Sequence, residues 1–348
     1  MTKTTKVIIT GGLGFIGINT AIRFIEEGIY VVIIDNMIRK GADINLQYLK
    51  DNYKGKFDFE RVEICEWDDL AEAFQKHSDA KVVYHLAAQV AVTTSVEKPY
   101  YDFEVNAFGT VKVLECIREY APHMKIIFSS TNKVYGGMED KEIILKNNRY
   151  EYKDYPDGID ESTCLDFHSP YGCSKGCADQ YIRDYYRIYG IKSVVLRQSC
   201  IYGIRQFGIE DQGWVSWFTI ASLLNKPITI YGDGMQVRDV LFIDDLVDLY
   251  LLLLDDEKCN GEVFNVGGGD WYKMSLLELV DYLETIEKID IKYSKADWRP
   301  GDQKIYVSDI SKIKEYTGWK PKISALEGVE RLSKWVKENK EMIKKVLG

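Results

Sequence analysis

Short runs of apolar residues alternate with longer stretches of mixed apolar and polar residues along the first 200 residues. The runs are rich in β-branched residues, which is typical of strands covered on both faces. They fall at 6–10, 30–35, 57–64, 81–86, 125–129 and 193–196. The mixed stretches have helical periodicity and predict helices at 15–27, 67–76, 99–120 and 171–189. This order predicts an α/β fold, a Rossmann-type doubly wound parallel sheet.

The alternation loosens beyond residue 203. Residues 227–240 have the pattern strand, glycine turn, strand, which predicts a hairpin. A helix at 243–254 and a strand at 263–266 are predicted to rejoin the sheet. Residues 138–166 are polar and aromatic without a clear period, so we expect an excursion near the mouth of a site.

These patterns predict two domains. The first is a nucleotide-binding Rossmann domain formed by 1–202 together with a returning segment near 240–266. The second is a smaller C-terminal lobe for a substrate, formed by 203–239 and 267–348. A chain of 348 residues is long enough for this division.

Three glycines separate the first predicted strand from the first predicted helix. Gly11, Gly14 and Gly17 lie where a tight turn and close approach of a pyrophosphate require residues without side chains. Asp35 ends the next strand, where a carboxylate accepts hydrogen bonds from a ribose and repels a 2′-phosphate. The unit therefore predicts a dinucleotide site that favours NAD, with NADP kept open by Arg39 and Lys40.

A tyrosine and a lysine four residues apart begin the helix predicted at 171–189. Side chains at this spacing share a helix face, so the ammonium of Lys175 is expected to lower the pKa of Tyr171. Thr131 ends a predicted strand and can complete a proton-transfer unit acting on a substrate alcohol. The same spacing between Tyr316 and Lys320 is interrupted by a glycine and indicates a surface turn.

Charge and cysteine usage exclude several classes of function. A net charge of −9 argues against a nucleic-acid partner, which needs concentrated positive charge. No apolar run approaches the roughly 20 residues that span a bilayer, and no signal peptide is recognised, so a cytoplasmic protein is expected. Seven cysteines without a Cys-x-x-Cys pair suit reduced thiols, and four scattered histidines predict no metal site.

The glycine turn, Asp35, Asn106, Thr131, Tyr171 and Lys175 occur in an order that resembles the nucleotide-sugar enzymes of the extended short-chain dehydrogenase/reductase family. The resemblance covers nearly the whole chain. It implies that Tyr171 is the acid/base, that Lys175 binds the cofactor ribose and lowers the tyrosine pKa, and that Thr131 assists. It also implies NAD as the cofactor, with contacts from Gly11, Gly14, Phe15, Ile16, Asp35, Asn36, Arg39, Glu63, Ile64, Leu86, Ala87, Ala88, Gln89, Asn106, Ser129, Tyr171 and Lys175.

One segment departs from the family's dehydratases. These have Thr-Asp-Glu where this chain has Thr131-Asn132-Lys133, and elimination of water needs an acid and a base that Asn132 and Lys133 do not supply. The string from Ser129 to Gly136 and the segment 167–176 resemble 2-epimerases of CDP-linked 3,6-dideoxyhexoses. The resemblance implies substrate contacts from Thr131, Asn132, Lys133, His168, Arg205, Gln206, Gln212, Val215, Arg238, Arg299 and Asp302.

The expected activity is therefore NAD-dependent epimerisation of a CDP-linked deoxysugar at carbon 2. A 4-epimerase of a UDP-sugar shares every core catalytic residue and stays open as an alternative. A non-catalytic nucleotide-sensing protein on the same fold is the alternative of another class, because fold does not fix function. The long helices at 99–120 and 171–189 are expected to pair between subunits, as in relatives, in a homodimer or homotetramer.

Overall fold

The predicted alternation of strands and helices is present in the computed structural model, which describes residues 4–299 and 302–348. Pro300 and Gly301, between the predicted substrate residues Arg299 and Asp302, lie outside the described residues. The first elements are β1 (Lys6–Thr10), α1 (Phe15–Glu26), β2 (Tyr30–Ile34), α2 (Ala42–Asn52), β3 (Phe57–Glu60), α3 (Trp67–Lys76), β4 (Val82–His85), α4 (Val92–Glu97), α5 (Pro99–Phe103), α6 (Gly109–Tyr120) and β5 (Lys125–Thr131).

The remaining elements include the helix that carries Tyr171. They are β6 (Ile143–Lys146), β7 (Arg149–Tyr152), α7 (Ser169–Tyr189), β8 (Ser193–Gln198), β9 (Cys200–Tyr202), α8 (Trp214–Leu223), β10 (Ile228–Tyr231), β11 (Val237–Phe242), α9 (Ile243–Asp255), β12 (Glu262–Val266), β13 (Lys273–Ser275), α10 (Leu276–Glu287), β14 (Tyr293–Ala296), β15 (Ile305–Tyr306), α11 (Ser311–Thr317), α12 (Ala325–Glu338) and α13 (Lys340–Leu347).

Seven strands form the central sheet in the order β12-β8-β5-β4-β1-β2-β3. The pairs β1–β2, β1–β4, β2–β3 and β4–β5 run parallel. The strand order reverses at β1, and parallel α/β sheets bind ligands at the carboxyl ends of the strands beside such a reversal. The predicted doubly wound sheet is confirmed, and so is the return of the strand around 263–266 to it.

The sheet is buried because its strands carry apolar residues on both faces. On one face, strand residues pack against the apolar stripes of α3 and α6. The fully buried members of this layer are Ile8, Val32, Val83 and Ile126 on strands and Leu70, Phe74, Val113 and Ile117 on helices. Burying each such side chain contributes roughly 1.5–3 kcal/mol, so this layer holds the strand ends in place.

The helix predicted at 99–120 contains a wide turn. Between α5 and α6, Glu104–Phe108 form one turn of π-helix, which is rare and is found most often at functional sites. Asn106 lies within it. Gly109 follows directly, and a Cβ there would lie 2.8 Å from the Cδ1 atom of Ile64, so glycine lets this helix approach the segment after β3 closely.

The chain divides into two compact units. The first contains the residues up to Thr131 together with Ser169–Arg197 and Val247–Phe264, and the second contains Asn132–His168, Gln198–Leu246 and Asn265–Gly348. The predicted boundary at 202 assigned residues 132–168 to the nucleotide-binding domain, whereas they lie in the second unit.

The excursion at 138–166 contains a hairpin that was not predicted. Strands β6 and β7 pair antiparallel, with Lys146 opposite Arg149. Asn147 and Asn148 between them both have positive φ, as a two-residue type I′ turn requires. The alternation of polar and apolar residues is too weak here to reveal the strands, because only one of their eight residues is buried.

The predicted hairpin at 227–240 is wrong. Its strands β10 and β11 both form, but β10 pairs with β14, while β11 pairs with β9, β13 and β15. Gly232 and Gly234 separate them with φ near 88°, and a Cβ on Gly232 would lie 2.7 Å from the Trp298 ring. Packing against residues distant in sequence therefore determines the strand partners.

The third predicted strand is also shorter than expected. Strand β3 ends at Glu60 instead of residue 64. The amide of Val62 still donates to the carbonyl of Asp35, and the chain then turns, with the amide of Glu66 donating to the carbonyl of Glu63. Among the described residues, no helix is both long and apolar enough to cross a bilayer. In the same part of the chain, no group of three His, Cys, Asp or Glu side chains is arranged to hold a metal ion.

Candidate active site

The glycine turn after β1 leaves its backbone accessible. Gly11 has φ +68°, and a Cβ there would lie 2.7 Å from the amide nitrogen of Ala87. A Cβ on Gly17 would lie 2.3 Å from the carbonyl oxygen of Gly11, so α1 can begin against the turn only without a side chain. Gly14 begins α1 with no side-chain cap, so the free amides of its first turn, which includes Phe15 and Ile16, suit a pyrophosphate.

Asp35 is held at the end of β2 by two backbone amides. Its carboxylate accepts hydrogen bonds from the amides of Leu13, at 3.0 Å, and Met37, at 2.7 Å. Burial raises the pKa of Asp35, and these two amides oppose that rise. Each oxygen keeps a lone pair for a ribose hydroxyl, so the predicted ribose contact fits the structure.

Two further predicted cofactor residues join this edge of the sheet. The amide nitrogen of the Asn36 side chain donates to Glu63 Oε2 at 2.6 Å. Arg39, three residues after Asn36, is exposed on the surface. The side chain of Ile64 is buried in the core, so only its backbone can contact a nucleotide.

The residues after β4 are fixed by Asn106. Leu86, Ala87 and Ala88 are partly exposed, and Gln89 is buried. The backbone amide of Gln89 donates to Asn106 Oδ1 at 2.9 Å, and Asn106 Nδ2 donates to the backbone carbonyl of Gln89 at 3.0 Å. The π-helical turn thus places Asn106 where it holds the end of β4.

His85 connects the same strand end to the helix behind it. The Thr110 hydroxyl donates its only proton to the backbone carbonyl of Asn106. Toward His85 Nε2, at 3.0 Å, the hydroxyl oxygen can therefore only accept, so Nε2 carries the ring proton. His85 Nδ1 then accepts from the Thr10 hydroxyl, whose oxygen accepts the amides of Leu86 and Ala87. Burial lowers the pKa of His85 to about 3, which keeps the ring neutral in this tautomer.

Thr131, Tyr171 and Lys175 lie together in the first unit. The hydroxyl groups of Thr131 and Tyr171 are hydrogen-bonded to each other. Ser169 precedes Tyr171 at the start of α7 with φ 70°, an uncommon conformation for a residue followed by proline. The Lys175 ammonium is buried and lies 4.1 Å from the centre of the Phe128 ring. Ser129, a predicted cofactor contact, is partly exposed on β5.

The expected lowering of the Tyr171 pKa is wrong for this structure. Burial raises the pKa of Tyr171 to about 12, and the hydrogen bond from Thr131 only partly opposes this. Burial also lowers the pKa of Lys175 to about 7. The lysine is therefore only partly charged near neutral pH, so it cannot supply the full effect that the spacing alone predicts.

Asp179 lies one helical turn beyond Lys175, and sequence reasoning missed it. Its carboxylate pairs with Arg197 through contacts of 3.0 and 3.1 Å and accepts the Ser130 hydroxyl at 2.8 Å. All three side chains are buried. They fix α7 to β5 and β8. The spacing of four from Lys175 was the available sequence signal.

The second unit holds most of the predicted substrate residues. Asn132 Nδ2 and Lys133 Nζ both donate to Gln303 Oε1, at 3.5 and 3.3 Å. Arg238 pairs with Asp302 at 2.8 Å. Burial lowers the pKa of Lys133 to about 8, with nearby Arg238 acting in the same direction. These four predicted residues and Gln303, which sequence reasoning missed, form one polar cluster.

A second cationic site is formed by Arg299. Its guanidinium lies 3.8 Å from the centre of the Tyr231 ring, and it pairs with Asp211 at 3.1 Å. Of the other predicted substrate residues, Gln206 lies against the segment that carries Gln212 and Val215, since its carbonyl accepts the hydroxyl of Ser216 at 2.7 Å. Arg205 has φ 62°, Gln206 is buried, Gln212 is partly buried, Val215 is packed in α8, and His168 is exposed on the surface.

Comparison with known proteins identifies the family. Residues 8–332 match the family described as GDP-mannose 4,6 dehydratase. The chain belongs to this family. The predicted membership of the extended short-chain dehydrogenase/reductases is thereby confirmed. The present chain is 46% identical to the CDP-paratose 2-epimerase of Salmonella typhi over 336 residues. The aligned residues cover 95% of the present chain and 98% of the Salmonella protein.

Solved structures agree with the fold. UDP-glucose 4-epimerase of Thermotoga maritima, solved with UDP-glucose, superposes on this chain with a TM-score of 0.83 at 31% identity. The superposition covers 96% of the present chain and 99% of the epimerase chain. UDP-glucuronic acid 4-epimerase of Bacillus cereus, solved with UDP-glucuronic acid and NAD, has a TM-score of 0.82 at 29% identity with the same coverage.

Proposed function

We propose that this protein is an NAD-dependent epimerase that inverts carbon 2 of CDP-paratose to give CDP-tyvelose. The observation that carries the proposal is the hydrogen-bonded pair of Thr131 and Tyr171 beside Lys175, without a carboxylate at positions 132 and 133. The identity of 46% to a CDP-paratose 2-epimerase supports the choice of substrate.

The first unit fits NAD. The glycine turn suits the pyrophosphate, and Asp35 suits the adenosine ribose. The backbone around Glu63 and Ile64 would hold the adenine, and Lys175 would hold a ribose hydroxyl of the cofactor, as the family resemblance implies. Bound NAD supplies reversible oxidation of the sugar carbon, because it accepts a hydride and returns it to the opposite face.

Replacing Asp35 by Asn tests the cofactor site. Hydrogen bonds to charged groups contribute about 1.5–3 kcal/mol, so the dissociation constant for NAD is expected to rise about 10- to 100-fold. Cofactor-stripped protein would be titrated with NAD and with NADP by calorimetry. The exposed carboxylate of Asp43 provides the matched control, since Asp43→Asn removes the same charge from the surface. Unchanged NAD affinity in Asp35→Asn would remove this residue from the site.

The chain's own residues move the proton. Tyr171 Oη, once deprotonated, takes the proton of the sugar hydroxyl at carbon 2 and later gives it back to the same oxygen. The hydrogen bond from Thr131 favours the phenolate. A positive charge on Lys175, four residues along the same helix, acts in the same direction on general grounds. Thr131 also orients the hydroxyl of the sugar.

The second unit supplies positive charge for the nucleotide diphosphate. Arg238 and Arg299 each pair with a carboxylate, Asp302 and Asp211, that a diphosphate can replace. Asn132 and Lys133 provide hydrogen-bond donors instead of the acid and base that elimination needs. Isomerisation without loss of water is therefore the reaction that these residues support.

A UDP-sugar 4-epimerase is the second candidate. A putative UDP-glucose 4-epimerase of Methanocaldococcus jannaschii is 33% identical over 335 residues, which supports this alternative. Incubation with CDP-paratose and with UDP-galactose side by side, followed by NMR of the sugar, separates the two. We expect inversion at carbon 2 of CDP-paratose alone. Inversion at carbon 4 of UDP-galactose would establish the alternative, and turnover of neither would favour a nucleotide-sensing role.

Substrate deuterated at carbon 2 tests the route of the hydrogen. Transfer to bound cofactor and back keeps the deuterium in the product, so we expect full retention by mass spectrometry. Unlabelled substrate in heavy water is the matched control and is expected to gain no deuterium at carbon 2. Exchange with solvent in either arm would replace hydride transfer by deprotonation of the carbon.

We also propose that the enzyme is a cytoplasmic homo-oligomer, a dimer or tetramer. Apolar side chains are exposed on α5–α6 and on α7, including those of Phe103, Phe108, Ile188 and Tyr189. The seven cysteines are thiols that form no disulfide, which suits a reducing compartment.

A further inference from the structure

Asp102 is a buried carboxylate that the preceding mechanism does not use. It lies on α5, and its side chain is fully buried. Oδ1 accepts hydrogen bonds from Gln89 Nε2 at 2.7 Å and from Asn106 Nδ2 at 3.1 Å. Oδ2 accepts the hydroxyl of Ser174. These donors carry no charge, so they satisfy the carboxylate as an acceptor and leave its charge uncompensated.

The cation that faces this carboxylate is Lys175, the residue after Ser174 on α7. Lys175 meets few charged groups. Two carboxylates act on it by charge, Asp179 on its own helix and, less strongly, Asp102 on α5. β4 presents the neutral ring of His85, and β5 presents the Phe128 ring. Asp179 is shared with Arg197, whereas the donors to Asp102 described above are neutral, so Asp102 is the carboxylate that can act as a counter-charge to Lys175.

We propose that Asp102 is a positioning residue whose carboxylate is the counter-charge that keeps Lys175 an ammonium beside Tyr171. The proposal rests on the proposed function, because it assigns Lys175 the task of favouring the Tyr171 phenolate. Hydrogen bonds to Gln89, Asn106 and Ser174 hold the carboxylate in place, so the same group also ties α7 to the end of β4.

The Asp102 charge acts on both residues of the pair: it raises the pKa of Lys175, and it also raises the pKa of Tyr171, which by itself disfavours the phenolate. Burial lowers the pKa of Lys175 to about 7, and the charges of Asp179 and Asp102 oppose this. In return, burial raises the pKa of Asp102, and the charge of Lys175 opposes that rise. Loss of the Asp102 charge must lower the Lys175 pKa further, so less ammonium is present at neutral pH.

The test is a direct titration of Lys175 in the full-length protein. Lysine side chains labelled with 13C at Cε report their protonation by NMR, and Lys175→Arg identifies the resonance. In Asp102→Asn we expect the midpoint of Lys175 to fall by about one pH unit relative to the wild type. The alkaline limb of the kcat profile for CDP-paratose is expected to move to lower pH by the same amount.

Two control variants separate charge from structure. Glu97→Gln removes an exposed carboxylate close to Asp102 in sequence and is expected to leave the midpoint unchanged. Ser174→Ala removes one hydrogen bond to Asp102 and keeps its charge. It is expected to keep the Lys175 midpoint while it lowers kcat across all pH values, as loss of positioning alone would do.

An unchanged Lys175 midpoint in folded Asp102→Asn overturns the proposal. If that variant does not fold, Asp102→Ser, which is smaller and neutral and retains an acceptor oxygen, is titrated in its place with the same expected fall. The titration needs no turnover. A lowered midpoint in a protein that does not convert CDP-paratose would therefore support the role of Asp102 and refute the proposed function.

Discussion

Tyr171→Phe is expected to lower kcat for CDP-paratose by about 10²- to 10⁴-fold, because it removes the group that accepts and returns the hydroxyl proton. The substitution deletes one oxygen, whose described partner is the Thr131 hydroxyl, so folding should be retained. KM should change little, since the proton transfer is made chiefly in the transition state. Initial rates by NMR, with circular dichroism as the folding check, provide the measurement.

The second tyrosine–lysine pair supplies a matched control. Tyr316 is followed four residues later by Lys320, but α11 ends at Thr317 with Gly318 in a left-handed conformation. The two side chains therefore do not share a helix face, and Tyr316→Phe should leave kcat unchanged. Near-normal turnover in Tyr171→Phe would remove this tyrosine from the mechanism.

Asp179→Ala is expected to destabilise the protein by about 3–5 kcal/mol, because it leaves the buried guanidinium of Arg197 without its carboxylate. Ser130 loses its acceptor in the same substitution. The free energy of unfolding from urea titrations, followed by circular dichroism, gives the size of the effect.

Two comparisons make this measurement specific. Asp184→Ala removes an exposed carboxylate from the same helix and should change stability by less than about 0.5 kcal/mol. The double variant Asp179→Leu with Arg197→Met replaces the pair by apolar side chains and should recover most of the loss. If Asp179→Ala is as stable as the wild type, the pair does not hold α7 in place.

The sequence predicted the elements whose evidence is local. Strand β1, the glycine turn, α1 and Asp35 follow one another within 30 residues, and each has a distinct composition. Helix α3 was predicted with its observed ends, Trp67–Lys76, because its apolar stripe is unbroken. The order of catalytic residues also places Thr131 and Tyr171 together, as the structure has them.

Contacts between distant residues escaped prediction. Asp102 and Ser174 are 72 positions apart, and neither belongs to a recognisable motif. The hairpin expected at 227–240 failed for the same reason, since the pairing of β10 with β14 joins residues 65 positions apart. The Tyr171 pKa was misjudged because spacing reports the neighbouring charge and gives no measure of burial, which dominates here.

The hydrogen bonds around His85 have a consequence for acid conditions. Thr110 donates its only proton to the Asn106 carbonyl, so His85 Nε2 must donate to Thr110 and His85 Nδ1 must accept from Thr10. The Thr10 oxygen is then left to accept the amides of Leu86 and Ala87, and each hydrogen bond of the series has one fixed direction. Reversing the series requires the other neutral tautomer of His85, and Thr110 would then have to give up its hydrogen bond to the Asn106 carbonyl. A second proton on the ring, which would make Nδ1 a donor facing the Thr10 hydroxyl, becomes favourable only near pH 3. The backbone that lines the cofactor edge should therefore keep a single arrangement through any acidification that a living cell experiences.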